Sequence, residues 1–277
     1  MKRLIIFILL ITPTVLSAQY WEFGGYLGGT NYNGDFSERF IKMNHTHLSY
    51  GVISRLNLSR HFSLRLSITK GMVSGADSDA RYYYHRRWTR NLSFRSPLLD
   101  IAVVPEFYIL GFRTNHFTYK SSPYIFAGIC LFKMNPQAMY NGKWINLQPL
   151  GTEGQYLSGP DYADRRYTLY QIGIPFGFGW KYSPGRNLNI GIEISARKTF
   201  TDYLDDCSNS YASYRDILYR NGQIAASLSN RTGEVNDERI EKVPGVDMRG
   251  SPEAKDWYYF AGITITYSLL KFGCMGF

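Results

Sequence analysis

The chain has 277 residues, of which 44% are hydrophobic, and it contains 23 tyrosines. Its formal charge of +9 favours anionic neighbours, and its three cysteines, Cys130, Cys207 and Cys274, exclude a disulfide scaffold. After the first 18 residues no run approaches the roughly 18–20 apolar residues of a membrane helix, so strands would have to carry any membrane-spanning role.

The N-terminus has the three parts of an export signal. Lys2 and Arg3 precede an apolar stretch over residues 4–11, and small residues lead to Ala18. This order predicts a signal peptide over residues 1–18 that is cleaved before Gln19. No cysteine follows to accept a lipid, and we expect residues 19–277 to form a single domain.

Alternation of apolar and polar side chains predicts eight strands in the mature chain. The pattern is clearest over residues 257–269, where most odd positions are apolar or aromatic, and it recurs over 188–197 and 62–71. A two-residue period is typical of strands. The predicted strands lie near 20–30, 46–58, 62–74, 93–111, 123–133, 166–182, 188–200 and 257–272.

The links between these strands alternate in length. Residues 59–61, 112–122 and 183–187 form short links, whereas the links over 134–165 and 201–256 are long. Outer-membrane barrels have short periplasmic turns and long extracellular loops. The sequence therefore predicts an all-β fold, an eight-stranded antiparallel up-and-down transmembrane β-barrel in the outer membrane.

Charged residues fall on the strand face opposite to the aliphatic one. An eight-stranded barrel is just wide enough for side chains to fill it, so we expect these residues to form ion pairs in a lumen without an open pore. A conductive or catalytic use of them is the alternative. The candidates are Glu22, Arg55, Arg65, Asp100, Glu106, Lys181, Glu193 and Arg197.

Aromatic residues cluster near the predicted strand ends, where amphipathic rings favour the lipid–water boundary. We expect them to form girdles around the barrel. The candidates are Tyr20, Trp21, Tyr26, Tyr32, Tyr124, Trp180, Tyr182, Trp257, Tyr258 and Tyr267.

Residues 81–95 interleave arginines with aromatic residues. At the rim of an exported barrel, such arginines are suited to phosphates of lipid A or to carboxylates of a partner. The alternative is a solvated loop whose arginines pair with Asp77 and Asp79. The candidates for anionic contact are Arg81, Arg86, Arg87, Arg90 and Arg95.

Enzymatic chemistry is not indicated. His45 and His47 share one side of an extended segment, but no third metal ligand is fixed near them. The chain has no Gly-x-Ser-x-Gly motif for a nucleophile. We predict no catalytic residue, metal or cofactor, and we expect neither nucleic acid nor a small-molecule substrate.

Three fragments, in chain order, resemble the PorG-like outer-membrane barrels of the type IX secretion and gliding machinery. They are residues 21–35, residues 201–211 and residues 249–258, and Cys207 departs from an aliphatic residue expected at its position. The resemblance implies a non-enzymatic component that contacts a periplasmic ring of PorK-type and PorN-type proteins. It also implies an outer-membrane location, in contact with lipid and lipopolysaccharide.

Several hypotheses follow from these patterns. The leading one is an anchor that binds its partner through the short links and a C-terminal tail containing Cys274 and Phe277. The second is a surface receptor or adhesin whose long loops bind an external ligand. A membrane enzyme with a catalytic group at the outer rim is a third, and a soluble lipocalin-like barrel is the rival at the level of fold.

Overall fold

The structure, a computed structural model, describes residues 19–37, 43–79 and 85–270. The predicted signal peptide lies outside these residues. Among the residues described, no helix is long and apolar enough to cross a membrane. The strands are β1 (Tyr20–Asn33), β2 (His47–Asn57), β3 (Phe62–Ala76), β4 (Ser93–Tyr108), β5 (Ser121–Ala127), β6 (Ile129–Met134), β7 (Gln137–Tyr140), β8 (Lys143–Asn146), β9 (Tyr170–Gly185), β10 (Leu188–Thr199) and β11 (Trp257–Leu269), and the α-helices are α1 (His85–Arg90) and α2 (Tyr214–Ser229).

Antiparallel pairing closes the sheet into a ring. β1 pairs with both β2 and β11, and the pairing continues from β2 through β3 to β4 and from β11 through β10 to β9. β5 and β6 are one barrel strand interrupted at Gly128, because each of them pairs with β4 on one side and β9 on the other. The prediction of an eight-stranded antiparallel barrel is confirmed.

The links divide the barrel into two ends. Residues 58–61, 109–120 and 186–187 form the short-turn end. The described residues of the other links, 34–37, 43–46, 77–79, 85–92, 135–169 and 200–256, form the long-loop end. The turn between β9 and β10 is tighter than predicted, because Arg186 and Asn187 adopt left-handed φ angles of 50° and 66°. Two such residues suit the right-handed twist of a hairpin, so residues 183–185 extend β9.

The outer surface of the barrel carries the aliphatic face of the strands. Phe178 is 61% exposed, Ile192 is 60% exposed and Ile263 is 50% exposed, whereas the inward neighbour Glu193 is 7% exposed. Such a broad exposed apolar belt marks a membrane surface. A soluble lipocalin-like barrel would instead direct its bulky apolar side chains inward, so this distribution excludes that rival.

The predicted aromatic girdle is wrong for Tyr26, Tyr32, Tyr124 and Tyr258, which point inward and are at most 5% exposed. Tyr26 and Tyr32 have the same parity as the lumen residue Glu22 of β1, and Tyr124 and Tyr258 occupy buried positions that alternate with more exposed ones in β5 and β11. Position near a strand end does not override this parity. Glycines make room for the rings: a Cβ on Gly179 would lie 2.5 Å from Cζ of Tyr124. Four others face outward and are 42–51% exposed, namely Trp21, Trp180, Tyr182 and Tyr267.

The long links fold together over the barrel, and we call their described residues the loop cap. It contains the β7–β8 hairpin and α2, which Ser213 caps by accepting a hydrogen bond from the amide of Asp216 at 3.3 Å. Its own small apolar core includes Ile217, Ala225 and Ala226, packed against Leu150 and Leu157 among others. The long-loop end is therefore a folded layer held above the lumen.

Candidate functional site

Arg55 occupies the centre of an ion-pair network in the half of the lumen nearest the short-turn end. Its guanidinium binds both oxygens of Glu106, at 2.7 and 3.1 Å, and donates to Glu22 at 3.0 Å. Lys181 Nζ completes the neutralisation of Glu22 with contacts of 2.7 and 2.8 Å to its oxygens. The strands β1, β2, β4 and β9 are thereby joined across the barrel interior.

The other four predicted lumen charges also form ion pairs. Arg65 Nη1 binds Glu193 Oε2 at 2.5 Å and its Nε lies 3.2 Å from Glu106. Arg197 Nε lies 3.5 Å from Asp100 Oδ2, which also accepts a hydrogen bond from Tyr258 at 2.7 Å. The structure therefore places all eight predicted residues inside, and their four cations match their four carboxylates.

The lumen is filled. The side chains of Tyr26, Ile53, Phe126 and Phe260 are buried there. The guanidinium carbon of Arg65 lies 4.6 Å from the ring centroid of Phe126, and that of Arg197 lies 4.7 Å from the ring centroid of Phe260. A cavity among Arg65, Glu193 and their neighbours has a volume of about 10 Å³, which is at the lower limit for one water molecule. The described lumen residues therefore pack against one another across the barrel interior.

A folded segment, residues 109–120, closes the short-turn end, and we call it the turn cap. Phe112 is buried against the Lys181 ammonium, which lies 4.4 Å from its ring centroid. Thr114 Oγ1 donates to Asn189 at 3.0 Å and lies 2.7 Å from Ser268 Oγ, so the cap is tied to β10 and β11. Phe117, in contrast, is 92% exposed.

All fixed charges in the short links are positive. Residues 58–61, 109–120 and 186–187 contain Arg60, Arg113, Lys120 and Arg186 but no aspartate or glutamate. All four are exposed, and Lys120 Nζ lies 5.9 Å from the ring centroid of Phe117. This end combines an apolar contact with a basic field.

Arg249 organises the loop cap. Its Nη1 donates to Glu153 Oε1 at 3.3 Å and to the carbonyl oxygen of Asp206, and the carboxylate of Asp206 accepts hydrogen bonds from Tyr167 and Thr152. The other oxygen of Glu153 accepts from the amide of Asn209 at 3.1 Å. These contacts join the link over 135–169 to the link over 200–256.

A second polar cluster joins the loop cap to the barrel. The phenol of Tyr32, at the end of β1, lies between the carboxyl groups of Asp205 and Asp256. Burial raises the pKa of both carboxyl groups well above the usual range of aspartate. Burial also raises the pKa of Asp202 to about 7 and that of Asp206 to about 6.

These carboxyl groups predict a pH dependence of the loop cap. A carboxyl group whose pKa is raised in the folded state stabilises the fold below its unfolded pKa of about 3.9, and this contribution is lost as pH rises through about 7. Asp202→Asn removes one such group. We expect the loop cap of the variant to be on the order of 2 kcal/mol more stable than the wild type at pH 8 and similar at pH 4.

Limited proteolysis of the folded barrel at pH 4, 6 and 8 measures this effect, with cleavage in residues 200–256 as the readout. An acid-active protease and an alkaline one, each calibrated on an unfolded peptide, correct for protease activity. Equal pH dependence of cleavage in the wild type and in Asp202→Asn would contradict the prediction.

The family of a domain of unknown function, DUF6089, matches residues 1–226 of the chain. The chain belongs to the DUF6089 family. No curated protein matches it significantly in sequence.

Three solved structures are similar to this DUF6089 chain. Ail, the attachment invasion locus protein of Yersinia pestis, solved in complex with the heparin analogue sucrose octasulfate, has 7% identity and a TM-score of 0.42, with 91% of this chain and 99% of Ail covered. Neisserial surface protein A has 7% identity and a TM-score of 0.41, with coverages of 89% and 96%. OprG from Pseudomonas aeruginosa has 8% identity and a TM-score of 0.38, with coverages of 90% and 96%.

The predicted anionic-contact arginines of this DUF6089 chain separate in the structure. Arg90 forms a fork with Asp77, with two contacts of 2.7 Å. Arg95 donates to Gln137 at 2.9 Å and stacks on Trp144 at 3.8 Å from the ring centroid. Arg87 lines a cavity of the loop cap, whereas Arg81 and the side chain of Arg86 lie outside the described part.

The histidines and cysteines singled out in the sequence of this DUF6089 chain have other roles than those considered, or they lie outside the described residues. His45 and His47 both contact Ser74 Oγ at 2.7 Å, and His45 also pairs with Asp79. Among the described side chains, no group of three or more potential metal ligands is arranged around one point. Cys130 and Cys207 are buried free thiols. The predicted partner contacts Cys274 and Phe277 lie outside the described residues.

Sequence reasoning missed two features of the candidate site in this DUF6089 chain. Phe117 was one residue in a short link, and the absence of acidic residues from all three short links was the signal that could have drawn attention to it. Arg249 lies in a fragment that resembles the PorG-like barrels, and the sequence pattern assigns no role to it. Its pairing with Glu153 spans 96 residues, and no local pattern reveals a contact at such a separation.

Proposed function

We propose that this chain is a non-enzymatic outer-membrane barrel that anchors a periplasmic assembly of a type IX-like secretion system. The short-turn end faces the periplasm and the long-loop end faces outward, with the apolar belt in contact with lipid and lipopolysaccharide. The sequence resemblance to PorG-like barrels supports the choice of secretion system. It also suggests ring proteins of the PorK and PorN type as partners.

The observation that carries the proposal is the construction of the short-turn end. Because its lumen is filled, a barrel of this size contacts another molecule through its surfaces. The turn cap is tied to the barrel by Thr114, yet it exposes 92% of Phe117. Exposing an aromatic ring fully to water gains nothing for folding, and aromatic residues are enriched among the anchors of interfaces.

Charge defines the partner that this surface fits. Arg60, Arg113, Lys120 and Arg186 give the short links exposed charge of one sign, and Lys120 lies beside the exposed ring. Complementary potentials steer association and reject partners of the same sign. We therefore expect an acidic partner surface with an apolar pocket that receives Phe117.

Phe117→Ala in the full-length chain tests the anchor. We expect at least a tenfold loss of the partner captured after crosslinking in intact envelopes, as for removal of an interface anchor, together with loss of secretion. Tyr219→Ala is the matched control, because Tyr219 is 91% exposed on α2 at the opposite end. Heat-modifiable gel mobility verifies that both variants contain folded barrels.

The same pair of variants discriminates the receptor or adhesin hypothesis. Its support is the exposed Tyr219 on a folded loop cap. For a receptor, Tyr219→Ala would weaken the capture of an external ligand, and Phe117→Ala would leave both ligand capture and secretion unchanged. Unchanged capture of periplasmic proteins by Phe117→Ala would refute the anchor.

A further inference from the structure

The loop cap contains a cavity of about 170 Å³ whose wall includes Arg87, Arg90, Lys242, Arg249 and Tyr211. Three separate links supply this wall. An isolated bridge between Ser210 and Met248 brings the two sides of the link over 200–256 together, and Arg90 from α1 donates to the carbonyl oxygen of Arg249. The cavity is thus a product of the folded cap and lies at the end opposite to the turn cap.

Two of its four cations are already neutralised. Asp77 binds the guanidinium of Arg90 in a fork, and Glu153 pairs with Arg249. The wall also contains the cations Arg87 and Lys242 and the carboxylates Asp35 and Asp247. Each of these two carboxylates accepts a backbone amide, from Ser251 at 3.0 Å and from Val243 at 2.8 Å respectively.

Hydrogen-bond donors in this wall exceed the acceptors that they reach. Arg87 Nη1, Arg249 Nε and the hydroxyl group of Tyr211 are buried, and within the described residues none of them has a hydrogen-bond partner. Tyr211 is only 3% exposed. A buried donor without an acceptor is costly, so these three donors, on residues that line one cavity, are suited to an acceptor that a ligand supplies.

We infer that this cavity binds a single phosphate group. A phosphate group presents several acceptor oxygens in a tetrahedral arrangement, and arginine is well suited to them. The volume accommodates one such group with a few waters of roughly 30 Å³ each. Asp35 and Asp247 oppose a more highly charged ligand, which restricts the site to one phosphate, either free or carried by a lipid headgroup.

Inorganic phosphate is the first probe, titrated against the full-length barrel in neutral detergent and followed by calorimetry. We expect Arg87→Gln and Tyr211→Phe each to weaken binding about tenfold, as for the loss of a hydrogen bond to a charged group. Arg215→Gln, an exposed site in the same link, should bind phosphate as the wild type does. Gel mobility and protease resistance of the loop cap verify that the variants are folded.

Vesicles distinguish the two sources of phosphate. If a lipid headgroup is the ligand, phosphatidylcholine vesicles that contain lipid A should retain the soluble barrel–detergent complex, whereas vesicles that contain dephosphorylated lipid A should not. Excess inorganic phosphate should then release the retained complex. Binding of inorganic phosphate with no preference between the two vesicles identifies free phosphate. Absence of binding to both probes, or equal binding by Arg87→Gln and the wild type, would overturn the inference.

Discussion

Replacing Arg55 with methionine is expected to lower the free energy of unfolding of the barrel by about 3–5 kcal/mol. Arg55 is 1% exposed and contacts the carboxylates of both Glu22 and Glu106. Methionine approximates the length of the aliphatic stem but leaves the four lumen carboxylates with three cations. The loss therefore reflects the cost of uncompensated buried charge more than the loss of packing.

Urea unfolding in phospholipid vesicles, followed by heat-modifiable gel mobility, measures this effect. Arg60→Met is the matched control, because Arg60 is exposed in the adjacent short link, and we expect its stability to lie within about 0.5 kcal/mol of the wild type. Arg55→Met combined with Glu106→Gln should recover part of the loss by restoring neutrality. If Arg55→Met and Arg60→Met were equally stable, the lumen network would not hold the barrel together.

The barrel and its filled lumen could be predicted from the sequence because strand parity is a local property. Successive side chains alternate between lipid and lumen, so Ile192 and Glu193 belong to opposite faces wherever the strand lies. An eight-stranded ring leaves little room inside, and inward charges of both signs then have to pair. This argument located Arg55, Lys181 and their carboxylates without knowledge of the register.

The caps could not be predicted, because their contacts depend on separations that no local pattern encodes. Tyr32 and Asp205 are 173 residues apart, and Arg90 and Arg249 are 159 residues apart. Residues of the links have no two-residue period from which a face could be assigned. The fold of the loop cap follows from packing among four links whose ends the barrel holds close together, and the exposure of Phe117 is known only once the turn cap is seen.

The loop cap is expected to unfold independently of the barrel. Stability varies across a structure, and regions joined by few contacts open separately. The loop cap meets the barrel partly through Tyr32 and the carboxyl groups of Asp205 and Asp256. Its internal order depends on Arg249, which contacts both the 135–169 and the 200–256 links.

Arg249→Met should therefore destabilise the loop cap by about 3–5 kcal/mol while the barrel strands keep their stability. The substitution leaves Glu153 and Asp206 buried without the guanidinium that both of them face. Hydrogen exchange of the folded protein in detergent should show faster exchange at the amides of Ser208 and Asn209, which Glu153 binds, and unchanged exchange in β10.

Arg239→Met, which removes a surface pair with Glu241, is the control and should cost at most about 1 kcal/mol. Equal exchange at Ser208 in the two variants would show that Arg249 does not hold the cap together, whereas faster exchange throughout β10 would show that cap and barrel unfold as one unit.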